Sequence, residues 1–147
     1  MKHKSVMKSR ERGQSLTEFG ASVVVLLVLL AGIVDAGRAF FTFMALRDAV
    51  QEGALWGSYN PTQTDLIRDR VRKTSTLVQS IADDPAAILT IDVDYTGAPC
   101  TGNGITVQAT YENFHITMPF LGAALGSQEV PIRASVTDTI LVPPCDE

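Results

Sequence analysis

The rhythm of apolar and polar positions changes along the chain, and the changes outline its parts. From Phe19 to Val34 there are 16 residues without a charge. At about 1.5 Å of rise per residue such a run makes roughly 24 Å of helix, near the lower limit for crossing hydrocarbon about 30 Å thick. Glu18 stands at one mouth of the run and Asp35 at the other. Beyond Asp35 no proline occurs until Pro61, and Phe40, Phe43, Met44, Val50 and Gly57 recur at spacings that fit one helix face. The spacing therefore predicts a single helix that continues to about Ser58, with its aromatic stripe in a core. Arg38, Arg47, Asp48 and Glu52 are expected to face water or neighbouring subunits.

Asn60-Pro61 breaks this pattern. Thr62 or Thr64 is placed to cap a second helix carrying Leu66, Ile67, Val71, Leu77, Val78 and Ile81 up to Asp83-Asp84-Pro85. Its cluster of Arg68, Arg70, Arg72 and Lys73 reads as a solvated face, with an anionic headgroup or acidic partner as the alternative. The remaining third has period two. Leu89 to Tyr95 alternates apolar with polar residues, and Ile105, Val107, Ala109 and Tyr111 alternate with Thr106, Gln108, Thr110 and Glu112. A third strand, from about Val130 to Ile140, sets Ile132, Ala134 and Val136 on one face. Three half-buried strands make a small antiparallel sheet whose apolar side needs a helix to cover it. The expected class is α+β: a long amino-terminal membrane-spanning helix, a second helix and a three-stranded antiparallel sheet. Met118 to Gly126 is an apolar link too short to span, expected to pack on the domain or on a neighbour.

Charge sharpens the division. Residues 1–12 carry five Lys/Arg against one Glu, net +4, so with an overall charge of -4 the rest of the 147-residue chain sums to -8. Basic residues beside a membrane helix stay in the cytoplasm, which predicts the leader inside and everything past about Asp35 outside. The expected divisions are a basic leader over 1–13, a long helix over 14–58 whose first half spans the membrane, and an extracytoplasmic α+β domain over 59–147. The length excludes a large enzyme. Nucleic-acid binding is not expected, because the basic residues are few, lack interleaved aromatics and abut a span. An ordinary secretory signal fits less well, since the run exceeds the usual h-region and Glu18 interrupts the join between head and core.

Arg12-Gly13-Gln14-Ser15-Leu16-Thr17-Glu18-Phe19 ends the basic leader on a glycine and sets an acid at the fifth position after it, with an aromatic residue next. That order resembles a class III, type IV-like prepilin. Gly32-Ile33-Val34-Asp35-Ala36-Gly37-Arg38-Ala39-Phe40 and Ala45-Leu46-Arg47-Asp48-Ala49-Val50-Gln51-Glu52-Gly53-Ala54 extend the likeness to the TadE-like family of tight-adherence (Tad/Flp) pilus proteins. About 45 residues, Arg12 to Trp56, carry it. The resemblance implies a pilin-like fold and a minor pilin or pseudopilin that acts in pilus assembly, adhesion or secretion. A membrane aspartic peptidase would cut between Gly13 and Gln14, and Glu18, beside Phe19, would be the assembly residue. Its partners would be a prepilin peptidase, other pilin or pseudopilin subunits, the Tad membrane platform and secretion machinery, and the lipid bilayer. A buried Glu18 carboxylate paired with a neighbour's new terminal amine avoids part of the desolvation penalty an isolated charge bears. Gln14 departs from the aromatic or methylatable first residue of many major pilins, which leaves amine methylation open. The rival reading is an uncleaved, single-pass scaffold or ligand-binding protein.

Other chemistry is sparse. Cys100 and Cys145 are the two cysteines, both on the expected outer side, and form either a disulfide worth about 4 kcal/mol in the chain-entropy model or two free thiols. Two cysteines are too few for a structural zinc site. His3 lies in the leader and His115 near a strand end, so no nucleophile–histidine–acid set is supported. Asp92 and Asp94 share a strand face without the further oxygen ligands a hard cation needs. No catalytic residue, cofactor or metal is expected.

Overall fold

The structure, a computed structural model, describes residues 8–118 and 126–145, with side chains from Gln14 onward. Residues 1–7 of the leader, including His3, and residues 119–125 of the apolar link lie outside the described residues. The chain runs α1 (Lys8–Tyr59), α2 (Thr64–Lys73), α3 (Thr76–Asp83), β1 (Leu89–Thr96), β2 (Gly104–His115) and β3 (Glu129–Thr139). This is the expected α+β arrangement, with α1 reaching back into the leader.

α1 has 52 residues and is about 78 Å long. Its stop at Tyr59 follows from Asn60-Pro61: Asn60 Nδ2 donates to the Trp56 carbonyl, and the proline cannot continue the ladder. The predicted second helix is two helices. Apolar spacing runs unbroken from Leu66 to Ile81, but Ser75 adopts an extended backbone, and its hydroxyl accepts from the Val78 N–H as the amino-terminal cap of α3. Neither Thr62 nor Thr64 caps α2. Gln63 stands at that position without a side-chain hydrogen bond, and Thr64 is already helical.

The three strands form one antiparallel sheet in the order β1-β2-β3. Val93, Val107 and Val136 line up across it, as do Ile91, Ala109 and Ala134. An irregularity between Tyr111 and Phe114 adds one residue to β2, so the inward side switches from odd to even positions and Phe114 and Ile116 continue the core. Pro131, which has no donor, sits beside this irregularity on an edge strand.

The second half of α1 covers the sheet, with Val50 and Gly57 of the expected face inside the contact and its aromatic members Phe40 and Phe43 outside it. Leu46, Ala49, Val50 and Ala54 are fully buried against Ile67, Val71, Ile105 and Val107, whereas Phe40 and Phe43 are exposed. The reason is proximity. A Cβ added at Gly53 would stand 2.5 Å from Val71 Cγ2, and one at Gly57 would stand 2.6 Å from Ile105 Cδ1. The helix lies so close to its neighbours that its small residues, not its aromatics, form the contact.

Candidate functional site

The first candidate region is the amino-terminal half of α1. Gly13 and Gln14 lie within continuous helical backbone. Gln14 Nε2 donates to Glu18 Oε1 at 3.2 Å, one turn on, and Ser22 Oγ donates to the Glu18 carbonyl at 2.9 Å. Gln14 and Glu18 are thus brought together. Glu18 and Phe19 are exposed and touch nothing outside their own helix turn among the contacts described, with Phe19 67 % exposed. Leu26, Leu27, Leu29, Leu30 and Ile33 are likewise exposed on several sides of the helix. Apolar side chains displayed all round a helix require an apolar surrounding, and α1 is long and apolar enough to cross a membrane.

The other end of the apolar run is built differently. Asp35 is 6 % exposed. Its Oδ1 accepts from Thr117 Oγ1 at 2.6 Å and from Arg38 at 3.1 Å, and its Oδ2 accepts from the Met118 N–H at 2.6 Å. The Arg38 guanidinium also lies 5.2 Å from the centre of the Phe114 ring. One carboxylate therefore ties the helix to the segment that follows β2. In the sequence Asp35 marks the end of the uncharged run and lies within the stretch that carries the family resemblance, with no partner assigned to it. Arg38, three residues on, was the local sign of a partner, while Thr117 and Met118 lie 82 and 83 residues away.

At the far end of α1, the tail after β3 folds back over the helix terminus. The Leu141 N–H donates to the Ser58 carbonyl at 2.8 Å, and the Thr101 N–H donates to the Pro143 carbonyl at 2.8 Å. Cys100 and Cys145 are disulfide-bonded there, with Cα atoms 5.0 Å apart. The bond joins the β1–β2 loop to the tail, well removed along α1 from Glu18.

The basic cluster of α2 is mostly engaged within the protein. Arg68 bonds Asp65 and donates Nε to the Ile91 carbonyl at 3.2 Å, Arg70 reaches Glu52 at 3.2 Å and lies 5.6 Å from the centre of the Trp56 ring, and Lys73 pairs with Asp69. Exposed pairs of this kind contribute about 0.2–1 kcal/mol each, so they orient α2 more than they hold it. Burial pushes the Tyr95 phenol above its ordinary value, partly offset by the Arg68 guanidinium, and its hydroxyl donates to the Pro61 carbonyl. His115 and Asp92 are exposed strand residues, and no group of three or more His, Cys, Asp or Glu is placed to hold a metal among the described residues.

Comparison with known proteins bears on α1 alone. No curated protein and no solved structure matches the chain. The family model described as TadE-like protein matches residues 13–55, which begin at Gly13, contain Glu18 and Asp35, and end within the part of α1 packed on the sheet. The stretch of α1 from Gly13 to Leu55 is therefore similar to the TadE-like family.

Proposed function

We propose that the chain is a minor pilin or pseudopilin of a Tad (Flp) type IV-like pilus system, inserted through α1 and cleaved by a prepilin peptidase between Gly13 and Gln14. The observation that carries this reading is the TadE-like match, which starts at Gly13 and includes the amino-terminal half of α1, whose apolar side chains are exposed among the described residues. In a fibre, helices of neighbouring subunits would supply that cover, together with the Tad membrane platform during assembly. Glu18 would meet the new amine of an adjacent Gln14, so that correct register pairs two buried charges and wrong register leaves both unpaired. The outer domain faces away from the cytoplasm, as the basic leader directs.

The test is the first residue of the membrane-extracted protein, read by intact mass and terminal sequencing with and without the peptidase. A peptidase-dependent start at Gln14 is expected. A start at Met1 would leave the uncleaved single-pass scaffold, a reading favoured by the continuity of α1 from Lys8 across Gly13. Glu18→Gln should insert and be processed but fail to assemble, and normal piliation by that variant would rule out the pairing.

A further inference from the structure

The two carboxylates that bracket the apolar run differ in what surrounds them, and that difference moves one boundary of the membrane segment. Phe19 to Val34 gives only about 24 Å of helix against about 30 Å of hydrocarbon. Extension toward the amino terminus meets Glu18, which is exposed. Extension the other way meets Asp35, whose oxygens are already held by Thr117, Met118 and Arg38 and which is almost wholly covered. A carboxylate so satisfied is not presented to lipid.

Past Asp35 the exposed surface is apolar as far as Phe41 apart from Arg38. Ile33, Gly37, Phe40 and Phe41 follow one another at helical spacing, with Phe40 60 % and Phe41 70 % exposed. Arg38 lies between them and is 47 % exposed, but its guanidinium is paired with Asp35 at 3.1 Å and lies 5.2 Å from the centre of the Phe114 ring, and a long basic side chain beside a bilayer can carry its charge to the interface. The next exposed charges on α1 are Arg47 and Asp48. Counting from Phe19 through Phe41 gives about 34 Å of helix, enough for the hydrocarbon. An independent observation agrees: a Cβ at Gly32 would stand 3.2 Å from Met118 Sδ, so the domain already reaches a residue alongside the apolar run.

We infer that the lipid leaflet facing the domain covers α1 as far as Phe40 and Phe41, seating the base of the domain at Asp35, Thr117 and Met118 in the outermost hydrocarbon, just beneath the headgroup layer. The partner of this aromatic face is lipid, and the exposed rings continue the membrane contact of the same helix. The inference rests on the membrane-anchor part of the proposed function, and not on cleavage or fibre assembly.

Single tryptophans placed in a Trp56→Phe background test it. Full-length Ile33→Trp, Phe41→Trp and Leu55→Trp proteins are reconstituted in phosphatidylcholine vesicles whose acyl chains are brominated either near the headgroup or deep in the bilayer. All three positions are exposed, so the replacements leave the core intact. Tryptophan at 33 is expected to lose most of its emission to the brominated lipids, and tryptophan at 41 is expected to lose most of its emission to the headgroup-proximal bromines. Tryptophan at 55 should be unaffected. Quenching at 33 without quenching at 41 overturns the inference and returns the boundary to Asp35. If 41 is then also shielded from aqueous acrylamide in a concentration-dependent way, a second protein chain is the occupant. Absence of quenching at 33 overturns the membrane anchor itself.

Discussion

The two halves of α1 are one helix in two environments. From Gln14 to Val34 its side chains are displayed around the circumference and Glu18 holds only a neighbouring amide. From Asp35 to Tyr59 it is clasped by α2, β2 and β3, and the carboxylate that opens this half is tied to a segment more than eighty residues away. The contrast teaches that a charge in a sequence marks a membrane edge only if the fold leaves it unsatisfied. Glu18 and Asp35 look equivalent as letters. In the folded protein one is free to pair with another molecule, and the other has spent its hydrogen bonds on its own domain.

The strongest way to break this contrast is to release the far end of the clasp. Cys100→Ser with Cys145→Ser should lower the unfolding free energy of the outer domain by about 4 kcal/mol, read as a shift of the urea midpoint of Trp56 fluorescence in detergent, while membrane insertion stays unchanged. Next comes the pair of carboxylates. Asp35→Ala orphans the Thr117 hydroxyl and the Met118 N–H and should cost about 2–3 kcal/mol by the same measurement. Glu18→Ala should change it by less than about 0.5 kcal/mol, because nothing in the domain leans on it. Equal effects from the two would erase the distinction.

Glycines sharpen the comparison further. Gly53→Val drives a branched side chain into Val71 and should destabilise by about 1–3 kcal/mol, whereas a Cβ at Gly20 meets nothing within 4 Å, so Gly20→Val should leave the domain's unfolding midpoint where it was. The smallest effect concerns pH. Because the folded Tyr95 phenol titrates above its ordinary value of 10.0, its contribution to stability is complete below that value and is lost as pH rises through the folded value. Absorbance of the phenolate should show this tyrosine titrating late, and Tyr95→Phe should remove the late step.

What could be read in the sequence followed from local rules. Strict alternation at Leu89–Tyr95 and Ile105–Tyr111 identified strands because each has one wet and one buried side, and Pro61 fixed the end of α1 because proline cannot continue a helix. The aromatic stripe misled because bulk is a poor guide to the buried face of a helix that leaves a bilayer. Gly57, which the predicted face included, and Ala49 and Gly53, which it left out, are spaced four apart and were the better sign, since close packing selects for what is absent. The break between α2 and α3 was written in Ser75, three residues before Val78, but an unbroken apolar period outweighed it. Asp35 was legible as an acid and illegible as a latch, because its chief partners, Thr117 and Met118, lie more than eighty residues away in the segment after β2. Gly13, Gln14 and Glu18 were visible as a pattern, and their pairing within one helix turn adds only the bond between Gln14 and Glu18.

The hydrogen bond from Arg68 to the Ile91 carbonyl has a bearing on crowding. β1 is an outer strand of the sheet, and an outer strand offers its unpaired carbonyls and N–H groups to any strand that comes alongside. If copies are assembled as proposed, such edges would meet often. Arg68 occupies one of those carbonyls with a positively charged group that an incoming strand would have to displace. Strand addition along β1 is thereby discouraged at Ile91.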